Sequence, residues 1–152
     1  MLHELPETAD EMFCFATYQA AHVINRAYLP LLRPLGLTYP QYIALTLLWE
    51  EDGQSVGGLS RRLRMDSNTL TPLLKRMEKA GHVTRQRGTR DERQVFVHLT
   101  EQGRALRRHA PEITSCMVQA TGLNVSELQD LITTLNRLSD AIARPMPGDQ
   151  SP

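Results

Sequence analysis

The chain has 152 residues, 41% of them hydrophobic and 22% charged, and its 17 basic and 17 acidic side chains cancel to a formal net charge of zero. That length supports one domain with a sizeable core, and the zero balance names no partner by itself. Two cysteines, Cys14 and Cys116, and five scattered histidines show no metal-ligand spacing, the N-terminus is acidic without an apolar run, and no segment is long and apolar enough to span a bilayer, so the expectation is a cytoplasmic protein with reduced thiols, no membrane association, no metal and no cofactor.

Residues 1–8 read as disordered. Over 9–32 the pattern is helical, with Met12, Phe13, Phe15, Ala16, Ala20, Val23, Ile24 and Ala27 apolar, and Pro30, Pro34 and Gly36 close it. The apolar positions cover more than one face, which a lone surface helix does not need, so this helix is expected to pack against a partner chain. Thr38-Tyr39-Pro40-Gln41 has the capping-box form, with Thr38 as N-cap, Gln41 three residues on and Pro early in the helix. That helix runs to about residue 51 and is apolar enough over 43–49 to be buried. Asp52-Gly53 ends it. Ser55 caps a short helix through residue 64 with Val56, Leu59 and Leu63 inward, although Gly57 and Gly58 weaken it.

The stretch 66–81 reads as a helix with two faces. Leu70, Leu73, Leu74 and Met77 recur at spacings of three and four and form the inward stripe. The other face carries Ser67, Asn68, Thr69 and Thr71, then Lys75, Arg76 and Lys79. Short hydroxyl and amide groups at the start of a helix suit base edges in a major groove, and long cations behind them suit phosphates and guanine. An ordinary amphipathic surface helix has the same stripe. Pro72 is compatible with a cap at Asp66, which puts it inside the helix, or at Asn68, which puts it in the first turn. With the short helix before it, this segment forms a helix-turn-helix.

After Gly81 the period changes from helical to alternating. His82-Val83-Thr84-Arg85-Gln86-Arg87 and Gln94-Val95-Phe96-Val97-His98-Leu99 flank the polar loop Gly88-Thr89-Arg90-Asp91-Glu92-Arg93, which predicts a β-hairpin with a basic tip, the wing of a winged helix. Arg90 and Arg93 suit phosphates or a narrow minor groove, and Asp91 is placed to hold Arg93 by a paired hydrogen bond. A solvent-exposed hairpin with a surface ion pair is the bland reading of the same residues. Thr100 caps a helix that runs to about residue 121 with a kink at Pro111. Asn124 with Glu127 caps the last helix, whose stripe is Leu128, Leu131, Ile132, Leu135, Leu138 and Ile142. The tail from Pro145 is rich in Pro and Gly and reads as disordered.

Charge is unevenly distributed. Over 61–93 lie ten cations, Arg61, Arg62, Arg64, Lys75, Arg76, Lys79, Arg85, Arg87, Arg90 and Arg93, against four acids; the first 52 residues carry seven acids against Arg26 and Arg33. A neutral chain with one basic segment fits a polyanion. The expected architecture is mainly α with a small β-hairpin: a winged helix-turn-helix over 37–100, dimerisation helices over 1–36 and 101–144, and a disordered tail over 145–152. A homodimer covers the apolar faces of the terminal helices, and a two-fold dimer reads a palindromic operator in double-stranded DNA.

The residues carry a resemblance. Asp91-Glu92-Arg93 with Leu99-Thr100 resembles the wing motif of the MarR regulators, and the likeness covers nearly the whole chain. Cys14-Phe15-Ala16, Tyr28-Leu29-Pro30-Leu31-Leu32, Leu37-Thr38-Tyr39-Pro40-Gln41-Tyr42, Leu48-Trp49-Glu50 and 66–76 resemble its organic hydroperoxide resistance (OhrR) subgroup. The resemblance implies a dimeric repressor, not an enzyme, in which hydroperoxide oxidises an N-terminal cysteine and the repressor leaves its operator. It implies that Cys14 is that cysteine, that Tyr28 and Tyr39 hydrogen-bond it, that Ser67, Thr69 and Arg76 contact the groove and that Arg93 is the wing arginine. Some members carry a second cysteine that closes an intersubunit disulfide. Cys116 lies in that neighbourhood, about one helical turn before the position the pattern puts it. Asn68 stands where the family pattern has Gly.

Residue spacing bears on the sensor. Cys14 and Tyr28 share a helix face but lie about 21 Å apart along a continuous helix, so contact requires the partner subunit or a break in the helix. Phenol donors stabilise a thiolate, the nucleophile toward a peroxide. Met12, Phe13 and Phe15 make an apolar surrounding suited to alkyl or lipid hydroperoxides. The product is a sulfenic acid that a second thiol reverses. Cys14 as a small buried core residue is the competing reading, as is a regulator released by a non-covalent phenolic ligand. A thiol peroxidase is disfavoured, since neither cysteine has a nearby Arg or Thr in a peroxidatic arrangement.

Overall fold

The structure, a computed structural model, describes residues 7–143; the expectations of disorder over 1–6 and from Pro145 lie outside them. Glu7 and Thr8, also expected to be disordered, both donate their N–H to the Glu11 carboxylate (2.9 and 3.4 Å). A single 3-10 turn, Ala9–Glu11, follows. Helix α1, Phe13–Leu32, starts later than the pattern suggested because Met12 is extended (φ −85°, ψ 118°) and breaks the run.

Helix α2, Tyr39–Glu50, starts on the expected capping box: Thr38 Oγ1 accepts from Gln41 N–H (3.4 Å) while Gln41 Oε1 accepts from Thr38 N–H (3.1 Å). It is the buried centre of the chain, with Ala44, Leu45 and Leu48 at most 1% exposed. Around it close Leu32, Leu59, Leu70, Leu74, Met77, Val83 and Val97, one continuous core. Each fully buried Leu of this set contributes roughly 1.5–3 kcal/mol. Asp52 fastens the end of α2: one carboxylate oxygen accepts from the N–H groups of Gly53 (2.9 Å) and Leu99 (2.8 Å), and the other from Arg104 (2.5 Å). The Trp49 indole donates to the Gly103 carbonyl at 2.9 Å.

Strand β1, Gln54–Ser55, leads into α3, Val56–Leu63, and then α4, Ser67–Lys79, β2, Val83–Arg87, and β3, Val95–Leu99. The expected hairpin is present, with Val83 opposite Leu99 and Arg87 opposite Val95. It is part of a larger unit, because β1 adds to the far edge of β3 and makes an antiparallel sheet in the order β1-β3-β2. Two residues are too short to show a period, so nothing local announced β1.

Helix α5, Glu101–Ala105, is capped by Thr100, whose hydroxyl accepts from Gly103 N–H at 3.0 Å. A 3-10 segment, Leu106–His109, separates it from α6, Ala110–Thr121, so the long helix expected here is interrupted just ahead of Pro111. The chain divides into two compact units, the second beginning at Thr114. In that second unit α7, Val125–Ile142, starts on the predicted box, with Glu127 N–H to Asn124 Oδ1 at 3.0 Å and Asn124 N–H to Glu127 Oε2 at 2.8 Å. No residue of α7 is buried, and Val125, Leu131, Ile132, Leu135 and Ile142 are exposed.

Candidate nucleic-acid interface and sensor residues

The helix-turn-helix is built by local bonds. Ser55 Oγ accepts from Gly58 N–H (3.0 Å) and starts α3. A Cβ at position 58 would sit 3.2 Å from that oxygen, so glycine there leaves the cap room. The helix ends where Arg64 turns left-handed (φ 50°) and Met65 N–H reaches back to the Ser60 carbonyl (3.1 Å). Asp66 is the N-cap of α4 through its backbone: its carbonyl accepts from Thr69 and Leu70 (2.9 Å each), and its side chain makes no cap bond. That settles Pro72, which lies inside the helix, where it has no N–H to offer the Asn68 carbonyl.

Helix α4 divides as its pattern predicts. Leu70, Leu73, Leu74 and Met77 are buried, whereas Ser67, Asn68, Thr69, Lys75, Arg76 and Lys79 are exposed and Thr71 is half-buried. The wing stands beside it. At its tip Arg90, Asp91 and Arg93 are exposed, and Gly88 closes the turn by donating to the Gln94 carbonyl (2.8 Å). A Cβ at position 88 would lie 2.7 Å from the Asp91 carbonyl oxygen, so only glycine fits. The Asp91 carboxylate does bond Arg93, but at its backbone N–H (3.0 Å), where a paired bond to the side chain was expected. This bond shapes the turn.

Helix and wing are tied together by Glu78. Its carboxylate accepts from the Arg85 backbone N–H and from Arg85 Nε, both at 3.0 Å. These bonds hold the Glu78 carboxyl below its usual range, so it stays ionised. Between α3, α4 and the sheet opens a cleft of about 430 Å3 lined by Arg61, Ser67, Thr71, Arg85, Arg93 and Gln94 among others. Arg61 and Arg85 were legible only as members of the basic run; that they meet Arg93 in one cleft depends on the fold.

The sensor candidates are only partly gathered. Tyr28, near the end of α1, stacks on Tyr39 at the start of α2, with centroids 4.2 Å apart and planes 21° apart. Tyr42 follows at 5.9 Å from Tyr28, and Trp49 at 5.9 Å from Tyr42. Burial, and then the neighbouring Tyr39 and Tyr42, push Tyr28 up to about 12. Burial, then Tyr42, raises Tyr39 as well. Both phenols are therefore protonated donors at neutral pH. Cys14 lies on the second residue of the same α1, exposed and free, so the unbroken helix holds it about 21 Å along the axis from Tyr28. Cys116 is also free and exposed, contrary to a core role for either cysteine within a single chain. Met12, Phe13 and Tyr18, close to Cys14 in the chain, are exposed, as are Val23 and Ile24 further along α1.

A polar-faced helix after a tight turn, backed by a small sheet with a basic hairpin tip, defines a winged helix-turn-helix. The chain belongs to the winged-helix SarA/Rot/MarR-type family of transcriptional regulators: the family model described as transcriptional regulator SarA/Rot matches residues 26–109, more than half of it. It is 45% identical to the HTH-type transcriptional regulator TtmR of Methylorubrum extorquens, over 90% of this chain and 70% of that one. It is 38% identical to the organic hydroperoxide resistance transcriptional regulator of Bacillus subtilis, over 88% of this chain and 90% of that one. Among solved structures, reduced AbfR bound to DNA matches with a TM-score of 0.72 and 31% identity, over 86% of this chain and 91% of that one.

Proposed function

We propose that this protein is a dimeric repressor that binds a palindromic operator and releases it when an organic hydroperoxide oxidises Cys14. The DNA half rests on the exposed face of α4. Ser67, Asn68, Thr69 and Thr71 read base edges in the major groove, Lys75 and Arg76 meet guanine and phosphates, and Arg90 and Arg93 of the wing enter the minor groove while Asp91 shapes the turn. The DNA-bound AbfR relative supports this reading.

One observation supports the sensing half: two stacked phenols, protonated and so able to donate, of which Tyr28 lies on the helix that also bears the exposed Cys14 and Tyr39 starts the next helix. The B. subtilis relative named for organic hydroperoxide resistance supports it. In a dimer whose apolar α1 faces are covered by each other, Tyr28 and Tyr39 of one subunit serve Cys14 of the other. The thiolate attacks the terminal peroxide oxygen, the O–O bond breaks, and the alcohol leaves after protonation. Cys14 becomes a sulfenic acid. The Cys116 thiol of the partner then condenses with it, forming a disulfide and releasing water. Each event is stoichiometric, a signal and not turnover.

A hollow of about 330 Å3 lined by Pro30, Leu31, Pro34, Leu35, His109, Glu112 and Ile113 favours a second reading, release by a non-covalent phenolic ligand. One experiment separates the two. Fluorescence anisotropy on DNA from upstream of its own gene, at one fixed salt concentration, follows wild type, Cys14→Ser and Cys116→Ser with and without cumene hydroperoxide. Oxidation is expected to release wild type and leave Cys14→Ser bound. Release of both variants alike sinks the Cys14 switch, and release of Cys116→Ser places the signal at the sulfenic acid.

A further inference from the structure

The cleft between the recognition helix and the wing has a composition that base reading does not require. Three arginines, Arg61 from α3, Arg85 from β2 and Arg93 from the wing, line about 430 Å3 together with Ser67 and Thr71, and no Asp or Glu lines it. Like charges converging on one hollow repel unless an anion lies between them. Two of the three are also arranged. Glu78 takes the backbone N–H and Nε of Arg85 (3.0 Å each), which fixes that side chain and leaves both Nη groups free of this contact. Arg61 folds back over the start of its own helix, so that a Cβ on Gly57 would lie 3.8 Å from its Nη1. The described ion pairs use Arg62 with Glu50, Arg85 with Glu78 and Arg104 with Asp52, and none engages Arg61.

We infer that this cleft is a seat for one backbone phosphodiester of DNA, with Arg61 and Arg85 as its cationic clamp. The inference rests on the DNA reading above and deepens it. When α4 lies in a major groove and the wing in the adjoining minor groove, the sugar–phosphate strand dividing the two grooves passes between them, over the cleft. Guanidinium forks match the two non-bridging phosphate oxygens. The contact carries no sequence information and sets register, so that α4 and the wing meet their grooves together. Arg61 is a DNA-binding residue in this assignment, and Glu78 is a positioning residue acting through Arg85.

The test is salt-dependent anisotropy with wild type, Arg61→Ala and Arg61→Lys on two duplexes, one from the region upstream of the protein's own gene and one scrambled. Arg61→Ala is expected to lower the slope of log affinity against log salt by about 1.8, roughly 0.9 for the one phosphate lost by each subunit of the dimer. Affinity falls several-fold and by the same factor on both duplexes, so their ratio is unchanged. Arg61→Lys restores the slope, because it keeps the charge, with weaker binding because it loses the fork. A scan of duplexes each carrying one methylphosphonate finds a position that weakens wild type and has no effect on Arg61→Ala. An unchanged slope in Arg61→Ala, or a loss confined to the upstream duplex, overturns the seat while the operator reading stands. Failure of wild type to bind either duplex overturns both.

Discussion

Two side chains owe their behaviour to burial beyond what their types predict. Tyr28 is half-buried against Tyr39 and Tyr42 and pushed up to about 12, so its hydroxyl remains a donor throughout the physiological range. Tyr28→Phe removes that donor and keeps the stack. It is expected to slow hydroperoxide-driven release of DNA about tenfold or more, with affinity for DNA in the reduced state unchanged, as stopped-flow anisotropy would show; an unchanged rate removes Tyr28 from the sensor. His82 is 5% exposed, and its Nδ1 is buried with no hydrogen-bond partner among the described residues. Burial lowers its pKa from the ordinary 6.5. The unfolded chain therefore binds the proton more tightly than the folded one, so stability is full above pH 6.5 and is lost as pH falls from there toward the depressed folded value. Denaturation midpoints between pH 7.5 and 5.5 (roughly one unit either side of a histidine's ordinary value) should decline in wild type as the pH falls and decline less in His82→Phe.

At the scale of elements, α4 and the wing share the core through Leu74, Met77, Val83 and Val97, and Glu78 adds a polar tie between them. Glu78 sits in the last turn of α4, and its two bonds to Arg85 cross to the first strand of the wing. Glu78→Ala leaves the Arg85 N–H without its acceptor and frees its side chain. A partly exposed pair of this kind stabilises the fold by about 1 kcal/mol or less, so the thermal midpoint should move little. Affinity for DNA should fall more than stability does, about tenfold, since wing and helix then meet their grooves separately. A proportionate drop in both would make Glu78 a merely structural residue. Pro72 adds a second constraint on the same helix, costing a backbone bond in α4 just after the residues proposed to read bases.

At the scale of the molecule, the two units leave apolar surface that a single chain does not cover. In the first unit Phe13 and Val23 of α1 are 57% and 64% exposed; in the second, Val125 and Ile132 of α7 are 68% and 57% exposed. Contiguous apolar faces of this kind mark association surfaces. Sedimentation of wild type is expected to show a dimer across the micromolar range, and Ile132→Glu with Leu135→Glu to shift it toward monomer. Because half-site spacing depends on the dimer, that variant should also lose DNA binding while keeping its helical content. A stable dimer in the double variant would remove α7 from the interface.

Four caps read from adjacent residues are made as expected, at Thr38, Ser55, Thr100 and Asn124, because a cap is a bond across three residues and needs nothing distant; Asp66 caps α4 through its backbone alone. The stripe of α4 and the alternation of the wing were legible for the same reason: periodicity of 3.6 or 2 is a local property that burial then enforces. The break at Met12 was not legible, since nothing in the apolar run marks an extended residue. Neither was β1, which is a strand only because β3 arrives beside it. The stacking of Tyr28 on Tyr39, the bond from Trp49 to Gly103 and the meeting of Arg61, Arg85 and Arg93 in one cleft join residues far apart in the chain. Sequence alone determined most of the elements and the family they build. Which side chains share a site was decided by tertiary structure, because proximity across a fold depends on how the elements pack and not on the residues next to one another.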